Sequence, residues 1–347
     1  MRFLFLGDFS YDYDYVAEDI AAIGDYARIK GASVILNLEG PVTGGNSRKI
    51  WKRGKNLRQK GQCIKALKAL NTAGVTLANN HIMDFSGAGL KSTVQALEEA
   101  GIDHTGAGNN IKEALKPMVF YDGNDTVAVF SFGWGAEETV YAGLHKAGCA
   151  PRENRIVLDT VEKYAGSNPE HKIIVTLHWG FEYNLYPQPY DIGLGRKLCM
   201  IDGVLTVIGH HSHCSQPCET YNGKKIFYSL GNFYYGTRRI KYSGREFKND
   251  PPNMCDYGTG VLINTPDERT EAVTVFYDRD NDRTEIREDM ETPVKMPDTD
   301  YNSYEYRDFV SAHSLRQNPV LGTDERENRI AVLRYNLARL KRKYFGR

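Results

Sequence analysis

The chain has 347 residues, enough for about two average domains or one large one, so a sizeable core forms without staples. Apolar residues make up 41 % and charged residues 25 %, which excludes disordered, collagen-like and coiled-coil chains. Forty-four Lys plus Arg balance forty-four Asp plus Glu; with no net charge there is no global field to gather nucleic acid or anionic lipid, and any anion recognition must be local.

The opening MRFLFLGDFS predicts a strand over Phe3 to Leu6 ending at Gly7 and Asp8. Its apolar run is too short for a signal-peptide core or a membrane span, and no later stretch reaches the roughly 18 apolar residues a span needs. A cytoplasmic protein without direct membrane insertion is expected. Helical spacing follows over Ala17 to Lys30, then a strand at Val34 to Leu36 that closes on Asn37 and Glu39. Ile64 to Ala73 reads as a helix, Val75 to Leu77 as a strand closing on Asn79 to His81, and Leu90 to Ala100 as a helix. Strands are expected at Val127 to Phe132, at Ile173 to Leu177 before His178, and at Val204 to Ile208 before Gly209 to His213, with a helix over Asp191 to Met200 between the last two. This alternation is that of an α/β fold, and each polar cluster falls just beyond the carboxyl end of a strand, where open α/β sheets bind ligands.

Tyr242 to Asp256 reads as a surface loop, Gly260 to Asn264 with Ala272 to Tyr277 as a β-hairpin, and Asp278 to Asp300 as an acidic loop. Asp324 to Tyr344 predicts a helix with Ile330, Leu333, Leu337 and Leu340 on one stripe. The six cysteines are scattered through a large chain, so thiols are expected, with Cys214 and Cys218 in ordinary packing.

Asp8, Glu39, Asn80, His81, His178, His210, His211 and His213 occupy five separate strand ends. One histidine at a strand end is commonly a hydrogen-bonded structural residue. So many nitrogen and oxygen donors on one sheet edge would repel or stay unpaired without a cation among them. Carboxylate, amide and imidazole together suit Mn, Fe or Zn. The count fits a dinuclear centre bridged by Glu39, with Asn80 and His81 diverging so that one binds metal and the other meets the substrate.

GDFS at Gly7 to Ser10, NLEGPVT at Asn37 to Thr43, LANNHIMDFSGAGL at Leu77 to Leu90, GAGNNIKEA at Gly106 to Ala114, LHWGFEY at Leu177 to Tyr183, IGHHSHCSQPCE at Ile208 to Glu219 and FYSLGNFYY at Phe227 to Tyr235 follow in order. Together they resemble the CapA-type poly-γ-glutamate capsule-synthesis family, itself similar to the calcineurin-like metallophosphoesterases. The resemblance implies a four-layer αββα sandwich over residues 1 to 278, with a C-terminal extension over 279 to 347 that includes the terminal helix. It further implies a two-metal site: Asp8 on one ion, Glu39 in the place of the bridging aspartate, Asn80 as ligand, His81 as proton donor and His178 as ligand. Where the phosphoesterase pattern is Gly-His-x-His, this chain has Gly209, His210, His211, Ser212 and His213. Either His211 or His210 pairs with His213. Ser10 stands where phosphoesterases carry a histidine.

Arg58, in the basic segment Trp51 to Gly61, is a candidate grip for an anionic substrate, the alternative being a solvated loop. Tyr11, Tyr13, Tyr15, Tyr183, Tyr186, Tyr190, Tyr234 and Tyr235 flank the motifs and could wall a cleft. The function expected is metal-dependent hydrolysis, phosphoesterase-like, in capsule, poly-γ-glutamate or exopolysaccharide biosynthesis, on an anionic small molecule or polymer and with synthesis partners. The alternative is a non-catalytic polymer-binding or scaffold protein on the same fold. Nucleic acid is not expected as a partner.

Overall fold

Strands with apolar residues on both faces must be covered on both faces, and this chain does so by stacking two sheets and flanking each with helices. The computed structural model describes all residues except 12, 45–46, 53, 61, 136–137, 236–253, 279–280, 282, 289–294, 315–318, 323–324 and 346–347; for 254, 325–327 and 339–345 it describes the backbone only. The strands are β1 (Arg2–Ser10), β2 (Ser33–Leu38), β3 (Thr72–Thr76), β4 (Asp103–Thr105), β5 (Ala107–Gly108), β6 (Met118–Asp122), β7 (Asp125–Gly133), β8 (Gly148–Cys149), β9 (Lys172–His178), β10 (Val204–His210), β11 (Cys218–Tyr221), β12 (Lys224–Phe227), β13 (Asn232–Tyr235), β14 (Tyr257–Asn264), β15 (Arg269–Asp278) and β16 (Arg283–Arg287). The helices are α1 (Glu18–Ile29), α2 (Cys63–Ala69), α3 (Ser86–Ala100), α4 (Ile111–Ala114), α5 (Asn154–Ser167), α6 (Pro189–Cys199), α7 (Tyr304–Ala312) and α8 (Glu325–Phe345).

The first sheet runs β16-β15-β14-β1-β2-β3-β4, with β13 also paired to β1; the second runs β11-β12-β10-β9-β7-β6. Side chains alternate between faces with period two, and the core divides accordingly. Phe3, Phe5 and Ile35 of the first sheet meet Val127, Val129, Ile174 and Ile208 of the second. Their neighbours Leu4, Leu6 and Leu36 point the other way, onto Ile20, Ile23, Leu67, Leu90 and Leu97 of α1 to α3. Phe130, Val175 and Val207 face Val157, Val161, Leu194 and Leu198 of α5 and α6. The result is the four-layer αββα sandwich.

The structure corrects the sequence reading in several places. The segment expected as an acidic loop contains β16, which pairs antiparallel with β15 and buries Thr284. Cys218 to Phe227 forms the β11-β12 hairpin, turned by Asn222 (φ 50°) and Gly223 (φ 74°), the positive pair that a tight hairpin requires. The described part of the α8 stripe is turned outward: Ile330, Leu333 and Leu337 are exposed, whereas Ala331, Val332 and Tyr335 pack against Phe181, Tyr190 and Leu321; the Leu340 side chain lies outside those described. The loop expected over Tyr242 to Asp256 lies, up to residue 253, outside the described residues. No helix among the described residues is long and apolar enough to cross a membrane.

Candidate metal centre

Register brings the strand ends together. Asp8 on β1 lies opposite Asn37 on β2 and Asn232 on β13, and His178 on β9 lies opposite His210 on β10. The residues before two of these ends must be glycine: a Cβ on Gly7 would stand 2.1 Å from Gly231 O, and one on Gly209 1.9 Å from Tyr228 O.

Two buried carboxylates share one amide. Asn37 Nδ2 donates to Asp8 Oδ1 at 2.8 Å and to Glu39 Oε2 at 2.5 Å. Its orientation is set by Asn79, which donates to Asn37 Oδ1 at 3.1 Å and to Leu38 O at 2.7 Å. Neither asparagine was singled out as a site residue from sequence; their places in NLEG and ANNH were the only signal.

The imidazoles come from the second sheet. His178 Nε2 lies 3.0 Å from Asn80 Oδ1 and 3.6 Å from Glu39 Oε1. Donor atoms of Asp8, Glu39 and His178 all fall within 4.8 Å of one another. His210 Nδ1 is 3.4 Å from Asp8 Oδ1, and His213 Nδ1 is 3.4 Å from Asp8 Oδ2 and 2.9 Å from Asn232 Oδ1. The His211 backbone N–H donates to Asp8 Oδ2 at 3.2 Å, and its ring lies 4.5 Å from that of His178. His211 (φ 90°) and His213 (φ 58°) both occupy the positive-φ region, a strained backbone of the kind that functional turns retain. Thus all seven predicted ligands converge, with His210 and His213 toward Asp8 and His211 toward His178.

Burial would raise Asp8, but the His210 and His213 imidazoles outweigh it and hold Asp8 well below the usual carboxylate range. Glu39 goes the other way: burial and the charge of Asp8 hold it well above its ordinary value. Burial lowers His178 well below its ordinary value and His211 to about 4, while Asp8 overcomes burial at His213 and lifts it to about 9. Among the described residues, Glu39 Oε1, His210 Nδ1 and His211 Nδ1 are buried without a hydrogen-bond partner. Buried lone pairs of this kind are normally satisfied, so the donor set fits a divalent cation, which also relieves the repulsion between Asp8 and Glu39.

His81 belongs to a second, adjoining network. Its Nδ1 lies 2.6 Å from Asp84 Oδ2 and 3.2 Å from Lys52 Nζ. Lys52, buried, also donates to Asp84 Oδ1 at 2.8 Å and to Asn80 O at 3.1 Å. Burial lowers His81, and Asp84 opposes that shift. Asp84 and Lys52 were missed from sequence, although Asp84 follows His81 by three residues and Lys52 belongs to the basic segment already noted. In that segment Arg58 is exposed, with its guanidinium 5.8 Å over the Phe85 ring. Of the tyrosines, Tyr183 and Tyr235 flank the His213 ring at 5.8 and 5.1 Å, whereas Tyr11 is buried in the core behind the first sheet.

Fold and cluster define an α/β protein whose two large stacked sheets carry a buried carboxylate and imidazole cluster at their strand ends. The family model of the bacterial capsule synthesis protein PGA_cap matches residues 5–237, and the chain belongs to this family. The capsule biosynthesis protein CapA of Bacillus anthracis is 32 % identical over 238 residues, covering 66 % of this chain and 56 % of its own length. The PGA biosynthesis protein CapA of Bacillus subtilis (strain 168) is 30 % identical over 281 residues, 80 % of this chain and 70 % of its own. The chain therefore spans little more than half of the B. anthracis relative. Among solved structures, a 5'-nucleotidase precursor from Thermus thermophilus covers 99 % of this chain and 60 % of its own at 12 % identity and a TM-score of 0.46. A calcineurin-like phosphoesterase from Bacillus subtilis covers 97 % and 99 % at 11 % identity and a TM-score of 0.44.

Proposed function

We propose that the chain is a metal-dependent hydrolase of the phosphoesterase type, acting in capsule, poly-γ-glutamate or exopolysaccharide biosynthesis. The observation that carries this reading is the crowding of Asp8, Glu39 and His178 donor atoms within 4.8 Å, with Glu39 Oε1 left unsatisfied. In this proposal Asp8, His210 and His213 would hold one ion of the Mn, Fe or Zn type, Asn80, His178 and His211 would hold another, and Glu39 would serve both. Bound ions would supply a Lewis acid and a water of lowered pKa. His81 is the proton carrier, its Nδ1 held by Asp84 so that Nε2 serves the substrate. Arg58 is the proposed grip on an anionic group. The names of the relatives supply the pathway class, capsule and PGA biosynthesis; the anionic substrate and synthesis partners are part of this proposal.

The second reading is a polymer-binding scaffold on the same fold. It is supported by Ser10, which offers no imidazole, and by the hydrogen bond that engages His213 with Asn232. Aryl phosphate mono- and diesters assayed with added Mn²⁺ separate the two: the hydrolase reading expects turnover that a chelator abolishes. Metal binding with no turnover on any phosphoester favours the scaffold.

A further inference from the structure

Cys214 immediately follows His213, and Cys255 lies in the short turn Met254–Asp256 that leads into β14. Both are buried, and their sulfurs lie 2.7 Å apart, well inside the roughly 3.5 to 4.0 Å at which even carbon atoms pack. The two cysteines come from different sheets: the histidine turn leaves β10 of the second, whereas β14 pairs with β1 of the first, the strand that carries Asp8. Beside them Ser215 Oγ lies 2.6 Å from Thr259 Oγ1, so a polar contact already joins the same two segments. From these positions we infer that Cys214 and Cys255 form a disulfide that ties the His210 to His213 turn of one sheet to the start of β14, an inner strand of the other. Two thiols give up two protons and two electrons to a disulfide donor, which leaves as two thiols, and one S–S bond forms. The consequence rests on the metal reading above. His211 and His213 hold positive φ, a conformation that surrounding structure must enforce, and the bond enforces it beside the ligand. The pair makes divalent-ion affinity depend on the thiol–disulfide poise around the protein.

Full-length protein is equilibrated with excess oxidised glutathione, alkylated in denaturant and peptide-mapped. The fragments containing Cys214 and Cys255 are expected linked to each other, and unlinked after a phosphine reductant. Recovery of both cysteines separately alkylated, or each capped by glutathione, overturns the disulfide. On the same samples, Mn²⁺ affinity by calorimetry is expected to be several-fold weaker for reduced protein and for Cys255→Ser, and to return on reoxidation of the wild type only. Equal affinity in both redox states overturns the positioning role. If oxidised wild type binds no Mn²⁺, the metal reading fails, and the peptide map still decides the bond.

Discussion

Asp84 Oδ2 lies 2.6 Å from His81 Nδ1, and its other oxygen accepts from Lys52 at 2.8 Å, so one buried carboxylate orients the imidazole and neutralises the lysine. Replacing His81 with Ala is expected to lower phosphoester turnover by about two to four decades while metal content is retained, with a smaller loss on substrates with good leaving groups. Loss of metal from His81→Ala comparable to that from Asn80→Ala would contradict the role given to His81.

Asp84→Ala carries a different cost. Lys52 and Asp84 are both buried, with side chains 3 % and 0 % exposed, and removing the carboxylate leaves an uncompensated ammonium. Breaking such a pair costs about 3 to 5 kcal/mol, which denaturant unfolding will read. Asp84→Ala combined with Lys52→Met should recover much of that stability without restoring turnover.

Glu39 and His213 hold their protons to higher pH in the folded chain than in the unfolded one. Burial and Asp8 do this at Glu39, and Asp8 does it against burial at His213. Such groups stabilise the fold below their unfolded values, and that contribution is lost as pH rises through the folded ones; for His213 the window runs from 6.5 to about 9. Chelated protein is therefore expected to lose Tm across this window. An ion held by Glu39 and His213, as proposed, would displace both protons, so the Tm gain from Mn²⁺ should widen over the same range. A gain that shrinks as pH rises would show that these groups are not ligands.

The outward turn of α8 is tested by a pair of substitutions. Leu321, 1 % exposed and packed with Phe181, should cost about 2 to 5 kcal/mol as Leu321→Ala. Leu333, 59 % exposed, should change stability by no more than about 0.5 kcal/mol as Leu333→Ser.

The inner strands β1, β2, β7, β9 and β10 were legible because they are buried on both faces: runs such as Phe3 to Leu6 and Ile173 to Leu177 are uniformly apolar or nearly so, whereas partly exposed strands such as β11 and β16 were not. Helix α5 was not, since only Val157 and Val161 of its 14 residues are fully buried and the rest reads as polar surface. The outward face of α8 was illegible for the opposite reason, because Leu333 and Leu337 look like core while Tyr335 and Ala331 do the packing. Ligand candidates were legible from their strand-end positions, His178 and His210 above all. Their supports were not: Lys52 stands 32 residues from Asp84, and Asn37 was read only as one of the polar residues closing a strand rather than as the amide between two carboxylates. Pairing of Cys214 with Cys255 could not be read from spacing, since 41 residues separate them.

The claim that most depends on geometry is that Glu39 belongs to a metal centre. Calorimetric titration of metal-stripped protein with Mn²⁺, compared between wild type and Glu39→Gln, tests it directly. The substitution removes one charge and scarcely changes volume, so the fold should persist while both positions weaken. Two bound ions are expected in the wild type, and reduced stoichiometry with at least about tenfold weaker affinity in Glu39→Gln. Wild-type stoichiometry and affinity in Glu39→Gln, or no binding by the wild type, would contradict it.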